Sequence, residues 1–200
     1  MWRDYYEKRY VALFGHLYEL SRTQFGFSPL DSFRIALSAA QAAKAFQPTR
    51  SREAANAALR PLVTYFRLLA TATPGGFDVE EAARLVLDWW QARREAVGPG
   101  QYGVTVARVA AITYGKPADD PSLLISGIGR AEAMAYRDAR GQAMTNLDWS
   151  EIECRLQRRL PVPEGGGGGR QPLTYCRPFL VAQLLRDTKK PRTMPGLLSC

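Results

Sequence analysis

The spacing of apolar residues is helical along most of this 200-residue chain. Apolar side chains recur every three or four residues. The first valines of the stretch that starts at Val104 instead alternate with other residues, so a short strand is an alternative prediction there. Clusters of Gly and Pro, such as TPGG at 73–76 and GPGQYG at 98–103, separate the helical stretches, and no internal repeat relates them. The pattern predicts an all-α fold, a single bundle of about seven helices.

Start and stop signals set the predicted bounds of these helices. Ser28 is a suitable N-cap ahead of Pro29, and Pro61 should kink or split the third helix near Arg60 because it lacks a backbone donor. The sequence DWSE at 148–151 resembles a capping arrangement for the last helix. The predicted helices cover about residues 3–22, 29–46, 51–72, 78–97, 104–115, 121–140 and 148–160.

Two glycines inside the predicted sixth helix need an explanation. Gly127 and Gly129 lie in the sequence SGIGRAEA, which has no preceding strand and therefore does not match a dinucleotide-binding fingerprint. We interpret both glycines as points where a neighbouring helix approaches closely.

The character of the chain changes after residue 160. The run PVPEGGGGG at 161–169 has the composition of a flexible linker, because consecutive glycines lose much entropy on ordering. The residues that follow are basic and contain one amphipathic segment, FLVAQLL at 179–185, which is too short to form a stable isolated helix. We therefore predict a helical bundle domain over residues 1–160, followed by a flexible glycine linker and a basic C-terminal tail over residues 161–200.

The net charge of +8 is unevenly placed along the sequence. Residues 1–149 carry 18 Lys/Arg against 15 Asp/Glu, whereas residues 150–200 carry 9 against 4. This excess favours an anionic partner such as nucleic acid, an acidic protein surface or anionic lipid. No apolar stretch is long enough to span a bilayer, and the first residues do not resemble a signal peptide. We expect a cytoplasmic protein that is not associated with a membrane.

The cysteines and the histidine argue against a metal site. Cys154, Cys176 and Cys200 are odd in number and widely spaced, so we expect reduced thiols rather than a disulfide framework or a CxxC site. His16 is the only histidine, which excludes an all-protein site that needs two imidazoles. The sequence contains no nucleophile beside a base and no phosphate-binding loop. It therefore predicts no cofactor, no metal ion and no catalytic residue.

Basic residues near the end of the chain are candidates for binding nucleic acid. Arg155, Arg158 and Arg159 lie within about one helical turn and can face one surface, where phosphates bind by counterion release. The sequence KKPR at 189–192 resembles a nucleic-acid-binding tail. The candidate nucleic-acid-binding residues are Arg155, Arg158, Arg159, Arg170, Lys189, Lys190 and Arg192.

The stretch WWQARR at 89–94 combines two large aromatic side chains with two permanent cations. A helical wheel places Trp89 and Trp90 on the apolar face of the fourth helix, Arg93 near the middle of that face and Arg94 at its edge. Arg94 can therefore extend its charge to water. Arg93 does not have that position, and since a buried arginine stays charged it needs acceptors. We expect Arg93 to be at least half-buried.

Three carboxylates on other helices break the polar-outside rule and are candidate acceptors for Arg93. Glu7 falls inside the apolar face of the first helix, and Glu132 and Asp138 flank the apolar strip of the sixth. A pair with Glu132 or Asp138, or thirdly with Glu7, would be an ion pair that fixes helix register. Alternatively, these residues would form a pocket in which the arginine binds an anionic ligand or the carboxylates transfer a proton. For a structural pair, replacing Arg93 by methionine should cost about 3–5 kcal/mol, and the same change at Arg94 less than about 1 kcal/mol.

Three functions of different classes are consistent with these features. The leading hypothesis is a non-catalytic, helical, nucleic-acid-associated subunit of a larger intracellular assembly, which binds the phosphate backbone through basic clusters and associates with other protein subunits. The first alternative is a protein–protein adaptor that docks through the C-terminal segment 179–185. The second alternative is a small helical enzyme with a buried pocket of Arg93 and its carboxylates.

Overall fold

The described part of the chain is helical apart from its turns and short connections. It comprises Asp4, Glu7, residues 9–73 and residues 75–158 of a computed structural model, without the side chains of Gln24, Gln157 and Arg158. No strand is present in this part, so Val104 begins no strand and the all-α class is confirmed. The linker and tail predicted at 161–200 lie outside the described residues.

Seven helices of 12 to 20 residues and one short helical turn make up this part of the chain. They are α1 (Tyr10–Phe25), α2 (Pro29–Phe46), the turn α3 (Arg52–Ala55), α4 (Leu59–Ala70), α5 (Val79–Arg94), α6 (Pro99–Tyr114), α7 (Pro121–Arg140) and α8 (Asn146–Arg158). Two 3₁₀ turns, Asn56–Ala58 and Gly141–Ala143, precede α4 and α8. The predicted bundle of about seven helices is therefore confirmed.

Side-chain caps and proline explain why several helices begin where they do. The Ser28 hydroxyl accepts the backbone N–H of Asp31 at 3.1 Å, directly ahead of Pro29 at the start of α2. The Asp78 carboxylate likewise accepts the N–H of Glu81 at 2.8 Å and caps α5. In both places a side chain satisfies a backbone donor that has no partner within its own helix.

The break predicted at 98–103 is present but lies earlier, at residues 95–98. Helix α6 already begins at Pro99, with Gly98 as its N-cap, and the glycines at 100 and 103 are helical. Proline suits the first position of a helix because its missing N–H has no intrahelical acceptor there. The sequence GPGQYG therefore contains a helix start, and the connection from α5 to α6 is shorter than predicted.

Proline has a related effect between α3 and α4. The helical stretch predicted over 51–72 is split by the 3₁₀ turn Asn56–Ala58, as expected near Pro61. The split lies just before α4 starts at Leu59, so that Pro61 occupies the first turn. The backbone N–H groups of a first turn have no acceptor within the helix, so the N–H that proline lacks is not needed there. This explains why the break precedes Pro61 instead of following it.

The helices pack in chain order around one continuous apolar core. Successive long helices contact each other from α1 to α8, except that α2 packs on α4 across the α3 turn. Large, fully buried side chains at the centre come from α1, α2, α4 and α5, and α8 contributes Ile152. None of the described helices combines the length and apolarity that crossing a bilayer requires.

Helices α6 and α7 cross with their backbones in direct contact. A β-carbon added to Gly127 would lie 2.7 Å from the backbone N of Ala107 and still closer to the carbonyl oxygen of Gly103. One added to Gly103 would lie 2.7 Å from the α-carbon of Ile128. The interpretation of Gly127 as a close helix contact is confirmed, and Gly103 is its counterpart on α6.

Charged ends of helices α5 and α7 as the candidate functional site

Both tryptophans of the WWQARR stretch are core contacts. Trp89 is 5% exposed, and its ring packs edge-on against Trp90 with the centroids 6.0 Å apart. Trp90 also contacts Phe46 at the end of α2, with a centroid distance of 5.0 Å. The aromatic faces are thus occupied by neighbouring rings, which is the structural interpretation of this pair.

Arg93 forms a two-pronged ion pair with Asp138. Its Nε and Nη2 donate to the two carboxylate oxygens at 2.8 and 2.7 Å, which joins the end of α5 to the end of α7. The Arg93 side chain is 20% exposed, as expected for a side chain on the core-facing arc, but Asp138 is 40% exposed. Asp138 also contacts the guanidinium of Arg137 at 3.3 Å. The pair is therefore half at the surface rather than enclosed.

The other two predicted carboxylates do not form this two-pronged pair. Glu132 is partly buried on α7, and Asp138 rather than Glu132 forms the two-pronged pair with Arg93. Glu7 is 39% exposed and lies 3.2 Å from Arg9. Of the three carboxylates that the sequence suggested, Asp138 is the one that accepts both hydrogen bonds of the two-pronged pair.

Arg94 is exposed, as the wheel predicted, but the end of α2 also binds its guanidinium. Its Nη1 donates to the carbonyl and hydroxyl oxygens of Thr49 at 2.8 and 2.6 Å, and its Nη2 donates to the Phe46 carbonyl at 3.0 Å. The guanidinium also lies 3.8 Å from the centre of the Phe46 ring. Since Phe46 ends α2, Arg94 supplies donors and positive charge where the last helical carbonyls need them.

A second group of charged side chains surrounds Tyr136 near the end of α7. The guanidinium carbons of Arg140 and Arg155 lie 3.7 and 4.4 Å from the Tyr136 ring centre. Arg140 donates to Asp148 at 2.6 Å, and Arg155 donates to Glu151 at 2.6 Å. The Tyr136 hydroxyl also donates to Asp148, at 2.9 Å. These contacts hold α8 on α7 and engage both cations with carboxylates.

Asp148 completes a capping box that differs from the predicted one. The Thr145 hydroxyl accepts the N–H of Asp148 at 3.2 Å, and the Asp148 carboxylate accepts the N–H of Thr145 at 2.9 Å. Helix α8 consequently starts at Asn146, two residues before the DWSE sequence at 148–151. The hydrogen bond from the Thr145 hydroxyl is the main cause that lowers the pKa of Asp148 to about 2.

This lowered pKa predicts a pH-dependent attachment of α8. The Asp148 carboxylate should stabilise the fold fully above the ordinary Asp pKa of about 3.9, and lose that effect as the pH falls towards about 2. Asp148→Asn should therefore lower the melting temperature by several degrees at pH 7 but scarcely at pH 2. Thermal unfolding at pH 7, 4 and 2 measures this. The exposed Asp119, changed to Asn, is the control, and an equal shift in both variants would contradict the assignment.

The predicted nucleic-acid-binding residues are only partly within the described structure. Arg155 lies on α8, where its guanidinium pairs with Glu151 and contacts Tyr136. Arg158 ends α8, and its side chain lies outside the described residues. The remaining candidates also lie outside them, namely Arg159, Arg170, Lys189, Lys190 and Arg192.

The described bundle contains most of the charged residues but little of the net charge. Residues 1–158 carry 20 Lys/Arg against 17 Asp/Glu, and residues 159–200 carry 7 against 2. Many cations of the bundle also lie within 4 Å of a carboxylate. These pairs are Arg9–Asp4, Arg34–Asp31, Arg52–Glu95, Arg67–Glu80, Arg93–Asp138, Arg140–Asp148 and Arg155–Glu151.

Comparison with protein-family models, with curated proteins and with solved structures found no match to this chain. Within the described residues, no group of three His, Cys, Asp or Glu side chains has an arrangement suited to a metal ion. Functional inference therefore depends on the charges and contacts of the chain itself.

Proposed function

We propose that this protein is a non-catalytic, helical, nucleic-acid-associated subunit of a larger assembly, in which the segment 159–200 supplies the phosphate-binding charge. The observation that carries this proposal is the division of charge. The segment has a net charge of +5 from 7 Lys/Arg and 2 Asp/Glu, whereas the much longer part before it has +3. Binding to a phosphate backbone grows with the number of cations that neutralise phosphates.

The contacts within the bundle explain why the segment is the better candidate. Arg140 and Arg155 would have to leave Asp148 and Glu151 to bind a phosphate, so part of any gain would be lost. The Tyr136 ring next to them is covered by guanidinium groups and is poorly placed to stack on a base. The cations of the segment outnumber its carboxylates by 7 to 2, and most of them remain uncompensated within it.

Salt-dependent binding tests the proposal. Fluorescence anisotropy would follow binding of random-sequence DNA and RNA oligonucleotides at several salt concentrations. The variant R186Q/K189Q/K190Q/R192Q should bind more weakly to all sequences alike. Its slope of log affinity against log salt should be shallower by up to about 3 to 4, because up to four fewer counterions are released.

The matched control removes the same number of cations from the bundle. Arg22, Lys44, Arg60 and Arg108 are exposed and form no ion pair within the described residues. Changing these four to glutamine lowers the net charge equally but should leave the salt slope nearly unchanged. Equal effects of the two variants would show that only total charge matters, and the segment would lose its proposed role.

Truncation separates binding from folding. Removing residues 161–200 should leave the helical circular dichroism and the thermal transition nearly unchanged while weakening binding, because the glycine run at 165–169 is expected to separate the basic tail from the bundle. If truncation unfolded the bundle, the segment would instead be part of the core.

The enzyme alternative receives less support. Arg93 and Asp138 satisfy each other through two hydrogen bonds, an arrangement typical of a structural pair. The adaptor alternative depends on the segment 179–185, and it is favoured if no variant, including the unmodified chain, binds nucleic acid at low salt.

A further inference from the structure

A polar groove lies between the α3 region and helix α5, away from the charged network at the end of α7. Its volume is about 370 Å³. Its lining combines leucine, amide and charged side chains, namely Arg52, Glu53, Asn56, Leu59, Arg84, Leu87, Asp88 and Gln91.

The base of the groove is apolar and contains one poorly satisfied amide. Leu87 is 5% exposed, and Leu59 packs partly buried against the same core. Gln91 is 6% exposed, and its Oε1 has no hydrogen-bond partner among the described residues. Its Nε2 donates to the Arg52 carbonyl oxygen over a long 3.4 Å. A hydrogen-bond donor that enters the groove would therefore satisfy the buried Gln91 Oε1 and be bound favourably.

Some charged side chains at the rim of the groove already form ion pairs, and others are available to bind a ligand. Arg52 donates through Nε and Nη2 to both oxygens of Glu95, the former at 2.8 Å, and these bonds lower the pKa of Glu95. Glu53 and Asp88 are exposed, and within the described residues neither forms a hydrogen bond or ion pair through its carboxylate. Arg84 is likewise exposed and without an ion pair there. The available charges are therefore two anions and one cation.

An apolar base with two available carboxylates at its rim is suited to bind a long basic side chain. Lysine and arginine lay an aliphatic stem on apolar surface and direct a donor-rich cation to acceptors at the rim. Leu59 and Leu87 would contact the stem, and Glu53 and Asp88 would receive the charge. A free anion fits less well, because two carboxylates face it and one of the two groove arginines is already engaged by Glu95.

We infer that the groove binds the basic segment 186–192 of the same chain, RDTKKPR. The segment offers four cations for the two groove carboxylates, and one carboxylate, Asp187, for Arg84. Arg186 follows Arg158 by 28 residues, and a random coil of that length would span roughly 30 Å on average and reach about 90 Å when extended. A tether of this length raises the local concentration of the segment, so that weak contacts suffice.

This binding makes the groove a competitor for nucleic acid, a consequence that rests on the proposed function. The same cations cannot contact Glu53 or Asp88 and a phosphate at once. The bundle would thus hold the basic segment until a polyanion of sufficient charge density displaces it. Because polyelectrolyte binding releases counterions, the displacement should be strongest at low salt.

Carbodiimide cross-linking of the full-length protein tests the contact without nucleic acid. The reagent joins a carboxylate to a nearby lysine amine through an amide bond and adds no spacer. Peptide mass spectrometry should find Glu53 or Asp88 joined to Lys189 or Lys190 at least about fivefold more often than the exposed controls Glu19 and Glu81. An exposed carboxylate alone attracts a lysine only weakly, so Glu19 and Glu81 give the background yield of cross-links. Equal yields at the groove and control positions would overturn the inference.

Isotope mixing identifies which chain supplies the segment. A mixture of ¹⁵N-labelled and unlabelled protein should give cross-linked peptides that are either fully labelled or fully unlabelled. Peptides of mixed labelling in the random proportion would mean that another copy occupies the groove, which also overturns the inference.

The two proposals fail in different ways. The variant E53Q/D88N should lose the cross-links and bind a random single-stranded DNA oligonucleotide about threefold more tightly, whereas E19Q/E81Q, with the same change in charge, should bind less than about 1.5-fold more tightly. If no variant bound DNA or RNA but the groove cross-links persisted, only the nucleic-acid function would be excluded. If DNA binding were normal and the cross-links were evenly spread, only the groove inference would be excluded.

Discussion

Replacing Gly127 by alanine should destabilise the bundle by at least about 3 kcal/mol. The added β-carbon would lie 2.7 Å from the backbone N of Ala107 and overlap the carbonyl oxygen of Gly103. Both neighbours are backbone atoms of α6, which cannot rotate away as a side chain would. The two helices must therefore separate, and the contacts around Gly127 are lost along with it. Urea unfolding followed by circular dichroism measures the free energy of unfolding.

Gly15 provides the matched control within the same bundle. It lies inside α1, is exposed, and has no heavy atom within 4 Å of an added β-carbon. Gly15→Ala should therefore raise the free energy of unfolding by up to about 1 kcal/mol, because alanine loses less backbone entropy in a helix. If Gly127→Ala behaved like Gly15→Ala, the close crossing of α6 and α7 would be wrong.

The sequence allowed these helices to be predicted because their own residues determine them. Periodic leucines and alanines mark the buried face of a helix, and Ser28 ahead of Pro29 marks a helix start. Gly127 marks a close contact between helices. The position of Arg93 on the apolar arc likewise predicted that it would be largely buried and that Asp138 was among its possible partners. A helical wheel contains this information because it describes one helix face.

The same wheel could not predict which hydrogen-bond acceptors a neighbouring helix places next to a side chain. Arg94 was expected to reach water, and it is exposed, but the wheel did not predict that the carbonyl oxygens of Phe46 and Thr49 would also accept hydrogen bonds from it. Backbone acceptors leave no trace in the sequence, since every residue carries one. Asp138 was expected to be stranded by loss of Arg93, but it is 40% exposed and also contacts Arg137, its neighbour on α7. Its exposure depends on how α5 and α7 meet, which a wheel of one helix does not describe.

These contacts reverse the order of effects that the sequence suggested for the two arginines. Arg94→Met should cost about 2–3 kcal/mol, because a charged group loses hydrogen bonds to Thr49 and Phe46, and the end of α2 loses its cation. Arg93→Met should cost only about 1 kcal/mol, since Asp138 stays hydrated at 40% exposure and keeps Arg137 nearby. Urea unfolding of both variants gives the comparison directly.

A lysine at position 94 separates charge from geometry. Lys keeps the positive charge near the end of α2 but lacks the planar fork that reaches Thr49 and Phe46 together. Arg94→Lys should therefore recover less than half of the stability that Arg94→Met loses. Full recovery would mean that only the helix dipole matters, and a larger loss for Arg93→Met than for Arg94→Met would restore the order expected from the wheel. Arg60→Met, at an exposed position without an ion pair in the described bundle, should change stability by less than about 0.5 kcal/mol and so sets the baseline for both.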